Sequence, residues 1–433
     1  HQGGQGRNQK RKTREICGKM RVLWFTNTPP AEANGKLKYN GGGWVSSLKD
    51  LMSMRTSLGI AFVSKSQGEV SVIGGVEYYP VFNPYEKSRS GRVRKLLGGS
   101  ALENAYIMDA FTKVIDDFSP DVIEVFGSEH IYGKIAAYTD VPVVLHLQGI
   151  LGECWKSFLP PGMSMLRYCM SGKGLAGKFG KFYYAESFRR RSRQEKMIFA
   201  TVKNYIGRTD WDRQCVMKSN PDAAYFQLEE VMRPQFYANA GKWKGLDPDN
   251  PLIVTTISEA PFKGMDLVLR TADVLVRKYG RKFRWVVYGN TDAGFFEKFT
   301  GIKAVDVNVT PAGVIDADGL AEALVNASVY VHPSYIENSP NSLCEAQMIG
   351  VPSVAADVGG IPTIIDNSKT GILAERGDSD SFAAAIVSLL DSEELSRKIS
   401  AASVKKSLMR NNPGAIADRL MEIYRIVKAG KQA

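Results

Sequence analysis

The feature that most constrains this chain is a rhythm. Short runs dense in Val, Ile and aromatic residues alternate with longer amphipathic stretches. In the first half the runs are RVLWFT (21–26), IAFVS (60–64), DVIEVF (121–126) and VPVVLHL (141–147). In the second half they are PLIVTTI (251–257), FRWVVYG (283–289), SVYVHP (328–333) and PSVAAD (352–357). Between them lie helical patterns such as GMDLVLRTADVLVRKYG (264–280) and SDSFAAAIVSLL (379–390). Runs apolar on both faces suit strands buried in a parallel sheet, and parallel strands need helical crossovers. The expected class is therefore α/β. A length of 433 residues exceeds one ordinary core, so two domains of roughly 200 residues each are expected. The polar segment ANAGKWKGLDPDNP (238–251) reads as the boundary. This gives a tag or disordered basic arm over 1–19, domains over 20–240 and 241–412, and a last helix within 413–433 that could pack on either domain, the first included. Two doubly wound domains facing each other across a cleft would bind ligands at the carboxyl ends of their strands.

Composition narrows the function classes. Five Cys, at 17, 154, 169, 215 and 344, show neither CxxC nor Cys/His spacing. That pattern indicates reduced thiols, with no disulfide framework and no zinc site. No apolar run reaches the ~18 residues of a membrane-spanning helix, and the opening residues lack the apolar core of a signal peptide. A cytoplasmic setting is expected. The net charge of +11 is uneven: residues 1–240 carry +12 and residues 241–433 carry −1. A basic half beside a neutral half points to an anionic surface such as a lipid leaflet. No RRM, KH, OB or zinc-finger pattern is present, so no nucleic-acid partner is expected.

The segment HPSYIENSPNSLCEAQMIGVPSVAADVGGIPTII (332–365) carries the most chemistry. A strand ends at His332 and a loop follows. Ser339 then reads as an N-cap and Pro340 as the first helical residue. The unpaired amides of Asn341, Ser342 and Leu343 would form an anion site suited to a diphosphate. Glu345, one turn further in, would accept hydrogen bonds from a ribose diol, and Glu337 in the loop would grip sugar hydroxyls. Gly350 and Pro352 end the helix.

The whole string resembles the donor-site signature of glycosyltransferase family 4. It has E-x7-E from Glu337 to Glu345, then Ala346, Gly350, Pro352 and Gly359-Gly360-Ile361-Pro362 in order. The resemblance implies a GT-B fold and a retaining hexosyltransferase. By it, Glu345 binds the nucleotide ribose, Glu337 the transferred sugar, and the backbone of Asn338 to Leu343 the phosphates. Three further segments fit. Asn40 to Trp44 matches a glycine loop that approaches the donor diphosphate, through Gly42 and Gly43. Lys263-Gly264 matches a phosphate-pairing lysine, and VVYGN, with Gly289, lies near the base. The implied partners are a nucleotide-sugar donor, UDP-linked in preference to GDP-linked, and a glycan or lipid-linked saccharide acceptor. The pairing of a GSE-like with a QG segment resembles members associated with bacterial surface polysaccharides.

Departures from the family are informative. Ser258 stands where members have an Arg five residues before the lysine. Arg208 is a candidate replacement and Arg233 a second one. Where a His usually follows the VPVV strand, this chain has His146 and Gln148, and either would reach the transferred sugar. Glu129 and His130, at the end of the preceding strand, would face the acceptor. Asp-x-Asp occurs at 247–249, 316–318 and 378–380, in linker and helix-start contexts that suit capping. No metal site and no cofactor are expected, because cations and amides would neutralise the diphosphate. In the first domain, residues 164–197 interleave basic with apolar residues and 89–99 form a basic loop, so this domain would hold the acceptor at a membrane surface. A sugar-nucleotide epimerase on the same scaffold, and a non-enzymatic basic module, are the alternatives. Three His outside residue 1 are few for epimerase chemistry.

Overall fold

The computed structural model describes residues 18–27, 43–85 and 100–430. The first sheet has eight strands: β1 (Arg21–Thr26), β2 (Ser57–Ser64), β3 (Ser71–Ile73), β4 (Val76–Phe82), β5 (Val122–Phe126), β6 (Val143–His146), β7 (Asn204–Gly207) and β8 (Ala224–Gln227). Their order is β3-β4-β2-β1-β5-β6-β7-β8. All neighbours run parallel except β3, which pairs antiparallel with β4. The second sheet is wholly parallel. Its strands are β9 (Leu252–Thr256), β10 (Arg284–Tyr288), β11 (Val309–Gly313), β12 (Val329–His332), β13 (Ser353–Ala356) and β14 (Ile372–Ala374), in the order β11-β10-β9-β12-β13-β14. All eight runs read as strands from the sequence lie in these sheets.

Each sheet is buried on both faces, as parallel strands require. One face of the first sheet packs Leu23, Phe25, Ile123 and Val125 against Phe111 and Ile115 of helix Ser100–Phe118. The other face packs Val22 and Trp24 against Leu420, Tyr424 and Val427. Those residues belong to the last helix, Pro413–Lys428, which crosses from the second half of the chain back to the first sheet. A buried polar row pins it. Trp24 Nε1 donates to Tyr424 Oη at 3.0 Å, and Tyr424 Oη donates to Glu124.

The segment that follows β6 leans the other way. Phe158, Tyr168 and Phe188 are buried with the core of the second sheet; the Tyr168 ring meets Phe295 and the Phe188 ring meets Phe262. The boundary segment is also fastened to the second half. Trp243 Nε1 donates to Ala327 O at 2.7 Å, and the amides of Gly241 and Trp243 donate to Met348 O and Ile349 O.

Candidate active site

In a doubly wound sheet, ligands bind where two adjacent strands send their following loops apart. In the second sheet that point lies between β9 and β12. The loop after β9 carries Lys263 and the loop after β12 carries Glu337, so residues 74 apart meet. Lys263 Nζ donates to Glu337 Oε1 at 2.5 Å. His332 Nε2 lies 3.2 Å from the same oxygen, and Tyr330 Oη and Ser334 Oγ steady the ring at 3.3 Å. Burial works against the charge of Glu337. Lys263 and His332 outweigh it and hold the carboxyl well below the usual carboxylate range.

The next helix spans Asn341–Ile349. It begins one residue later than the sequence suggested. Pro340 occupies the cap in an extended conformation (φ −71°, ψ 118°) and no side chain caps the helix. The expectation of Ser339 as N-cap is thus corrected: Pro340 is itself extended and takes the cap position, so the first turn starts at Asn341. The amide of Leu343 is taken by Pro340 O at 3.1 Å. Those of Asn341 and Ser342 are the first donors of the helix without a backbone partner among the described residues. Glu345, 3% exposed, is gripped by Arg233, with Nε to Oε1 at 2.8 Å and Nη2 to Oε2 at 2.9 Å. Burial raises the Glu345 carboxyl above its ordinary value, against the pull of Arg233. Gly359 and Gly360 explain the paired glycines of the motif. A Cβ on Gly359 would lie 2.0 Å from Glu337 O, and one on Gly360 would lie 2.3 Å from Asn338 O. Gly289 ends β10 beside the same crevice, its amide donating to Gly313 O at 2.7 Å.

The first domain meets this loop through a network of its own. Arg208, 3% exposed, donates from Nη2 to Leu147 O at 3.1 Å and to Gln148 O at 2.8 Å. Its Nη1 donates to Ser339 O at 3.3 Å and pairs with Glu230 at 2.6 Å. The guanidinium therefore braces the two halves and is already committed to protein groups. Asn338 is committed too: its Oδ1 accepts from Thr209 Oγ1 at 2.7 Å and its Nδ2 donates to Asp212 at 2.8 Å. Thr209 and Asp212 form the capping box of helix Asp210–Ser219, so a helix start of the first domain docks on the donor loop.

His146 does not join the cleft. It is 1% exposed and its Nδ1 lies 2.7 Å from Glu124 Oε1, within the core under the last helix. The expectation that it would reach the transferred sugar is corrected: β6 ends at His146, whose side chain turns into the core, and the chain leaves the strand before Gln148. Gln148 is half-buried, and its Nε2 has no hydrogen-bond partner among the described residues. Glu129 and His130 stand after β5. Asn27 Nδ2 donates to Glu129 at 3.4 Å, burial raises that carboxyl, and exposed His130 stacks on Tyr132. Gly42 and the loop 89–99 lie outside the described residues, and Gly43 opens helix Gly43–Ser53.

One residue escaped the sequence reading. Glu195, 2% exposed on helix Gly174–Thr201, accepts from the amides of Leu151 (2.9 Å) and Gly152 (2.7 Å) and from Ser128 Oγ (2.5 Å). It ties the loop after β6 to the loop after β5. Burial pushes its carboxyl up to about 7 despite those three donors. Of the basic segment 164–197, Tyr168 and Phe188 are buried, and Lys181 lies 4.0 Å over the Phe295 ring. Arg189 and Arg190 pair with Glu186. The Asp-x-Asp segments serve local turns: Asp316 caps Gly319 and Asp378 caps Asp380 and Ser381, while Asp247 accepts from the amides of Asp249 and Asn250.

Residues 250–392 match the family model described as Glycosyl transferases group 1. The chain is 28% identical over 182 residues to an alpha-D-kanosaminyltransferase of Streptomyces kanamyceticus, covering 42% of this chain and 47% of that one. It is 32% identical over 159 residues to a D-inositol 3-phosphate glycosyltransferase of Catenulispora acidiphila, covering 34% and 36%. The chain thus spans less than half the length of these relatives. Among solved structures, a sucrose-phosphate synthase from Thermosynechococcus elongatus superposes with TM-score 0.70 at 16% identity, covering 95% of this chain and 100% of that one. Anabaena HepE in complex with UDP and glucose gives TM-score 0.59 at 14% identity, covering 93% and 98%. These likenesses show the fold: two Rossmann-like domains in the GT-B arrangement.

Proposed function

We propose that the chain is a retaining glycosyltransferase that moves a sugar from a nucleotide-sugar donor to a glycan or lipid-linked saccharide. The observation that carries this reading is the crevice between β9 and β12. There a lysine, two acidic residues and an uncapped helix start converge at the carboxyl ends of parallel strands. The match of residues 250–392 to the glycosyltransferase family model supports it. The UDP bound by HepE favours a UDP-linked sugar.

In this reading Glu345 takes the ribose hydroxyls, the amides of Asn341 and Ser342 with Lys263 take the diphosphate, and Glu337 takes sugar hydroxyls. Gln148 Nε2, buried and without a partner among the described residues, donates to the transferred sugar. The bond from the anomeric carbon to the diphosphate oxygen breaks, and the acceptor hydroxyl oxygen bonds to that carbon on the same face. Its proton passes to the departing phosphate oxygen. Both motif carboxylates are ion-paired, which suits charge stabilisation better than nucleophilic attack. Lys263 and the helix amides stabilise the leaving diphosphate, and no divalent ion is required.

The acceptor belongs on the first domain, at Glu129 and His130. An anionic membrane surface is its proposed setting. Leu166, Met170, Leu175, Phe179 and Phe182 are 46–87% exposed and interleave with Lys173 and Lys178, a pattern suited to shallow insertion. The test is incubation with labelled UDP- and GDP-sugars, with and without EDTA and anionic vesicles. Transfer or slow donor hydrolysis that retains the anomer and survives EDTA is expected, with vesicle binding that salt weakens. An inverted product overturns retention, and activity that needs added Mn²⁺ or Mg²⁺ overturns metal independence. Equal pelleting with neutral and anionic vesicles, or none with either, overturns the membrane setting.

A further inference from the structure

Both carboxylates of the donor motif already hold a cation. Lys263 sits on Glu337, and Arg233 sits on Glu345 through a two-bond fork. The second pair joins distant parts of the chain. Arg233 precedes the short helix Pro234–Ala238, 112 residues before Glu345. Its side chain runs over the start of helix Gly43–Ser53, where a Cβ on Gly43 would lie 2.8 Å from Arg233 Cδ. Glu345 lies one turn inside helix Asn341–Ile349, ~6 Å along the axis from Asn341. The side chain therefore passes the start of one helix and ends on a carboxylate one turn inside another. Neither helix has an acidic residue in its first turn.

Helix N-termini carry partial positive charge and disfavour a cation nearby. Glu345 is the carboxylate that grips Arg233 there, and the guanidinium also lies over the Phe236 ring. The Glu345 side chain is 5% exposed, against 24% for Arg233. The place thus combines the start of one helix, the early turns of another, a cation and one buried carboxylate, and the ligand it suits is dianionic. Ser258 supplies no cation and Arg208 is committed to carbonyls and Glu230.

We infer that Arg233 is a partner-exchanging phosphate ligand: ribose hydroxyls displace it from Glu345, and the released guanidinium closes on the diphosphate of the same donor. The inference rests on the donor-site reading above and adds a specificity rule to it. A nucleoside diphosphate repays Arg233 for the lost carboxylate with a bidentate phosphate contact. A bare nucleoside displaces the arginine and offers it nothing, so it binds poorly.

Calorimetry with UDP and uridine, and with GDP and guanosine, tests this on the wild-type chain, Arg233→Met and Arg233→Lys. Arg233→Met is expected to weaken the bound diphosphate tenfold or more while the matching nucleoside binds as before or more tightly. Arg233→Lys, which keeps the charge and loses the fork, is expected to fall between. Equal losses for diphosphate and nucleoside, or an unchanged diphosphate, overturn the exchange and leave the donor site standing. If neither diphosphate binds the wild-type chain, the donor site and the exchange fall together. Arg233→Met also strips Glu345 of its counter-ion, so the double variant Arg233→Met/Glu345→Gln is measured alongside. Exchange predicts that the double variant stays weak toward diphosphate, and recovery of wild-type affinity overturns it.

Discussion

Glu337 keeps its charge in surroundings that favour losing it. Burial opposes ionisation, while Lys263 at 2.5 Å and His332 at 3.2 Å more than compensate. Because the folded carboxyl is held below its unfolded value, its contribution to stability is present above the ordinary carboxylate range. That contribution is lost as pH falls through the folded value. The gap in unfolding free energy between the wild type and Glu337→Gln is expected to be about 3 kcal/mol at neutral pH. It should hold steady above about pH 5 and narrow only in acid, and urea titrations across pH measure it. A gap that widens on acidification contradicts the assignment. The carboxylates and the lysine were legible in the sequence because they sit at fixed spacings in one motif. Their partners were harder to read. Arg233 lies 112 residues from Glu345, and Arg208 reads as a spare cation until its carbonyl partners are seen. His146 misled because Glu124, which claims it, lies on the neighbouring strand.

At the scale of elements, the donor loop is a moulded surface as much as a set of side chains. Gly360 has an ordinary backbone conformation (φ −87°), yet a Cβ there would lie 2.3 Å from Asn338 O and 2.5 Å from Thr209 Cγ2. Gly360→Ala is expected to cost about 1–3 kcal/mol by overpacking and to weaken nucleotide binding by pushing the loop. Unchanged stability together with unchanged nucleotide affinity would contradict this account of the paired glycines. Strands with continuous apolar runs were readable, and shorter or interrupted ones were not. β7 and β8 each carry a polar residue at one end, Asn204 and Gln227, and β14 has only three residues. In β4, Pro80 breaks the pattern and reads as an edge or a loop, although β4 lies between β3 and β2. The helix start slipped by one residue because proline fixes φ but leaves ψ free, and Pro340 takes an extended ψ of 118°.

At the scale of the whole molecule, three ties join the halves: the returning last helix, the brace of Arg208 with Asn338, and the rings of Tyr168 and Phe188 against Phe295 and Phe262. The apolar stripe of the last helix was visible in the sequence, but a stripe fits any apolar face. Tyr424 specifies the first sheet, through Trp24 and Glu124. Tyr424→Phe leaves a buried indole N–H and a buried carboxylate oxygen without that hydroxyl. It should cost about 1–3 kcal/mol in denaturant unfolding without altering nucleotide affinity at the distant crevice. A larger effect on binding than on stability would show that the helix does more than close the core. The central claim is that the crevice between β9 and β12 activates a nucleotide-linked sugar. Its most direct test is the release of nucleoside diphosphate from UDP- and GDP-sugars by the wild-type chain and by Glu337→Ala, followed with time. The account predicts release from at least one donor, and a loss of about a hundredfold or more in the variant. No release from any donor, or release that Glu337→Ala leaves unchanged, would contradict it.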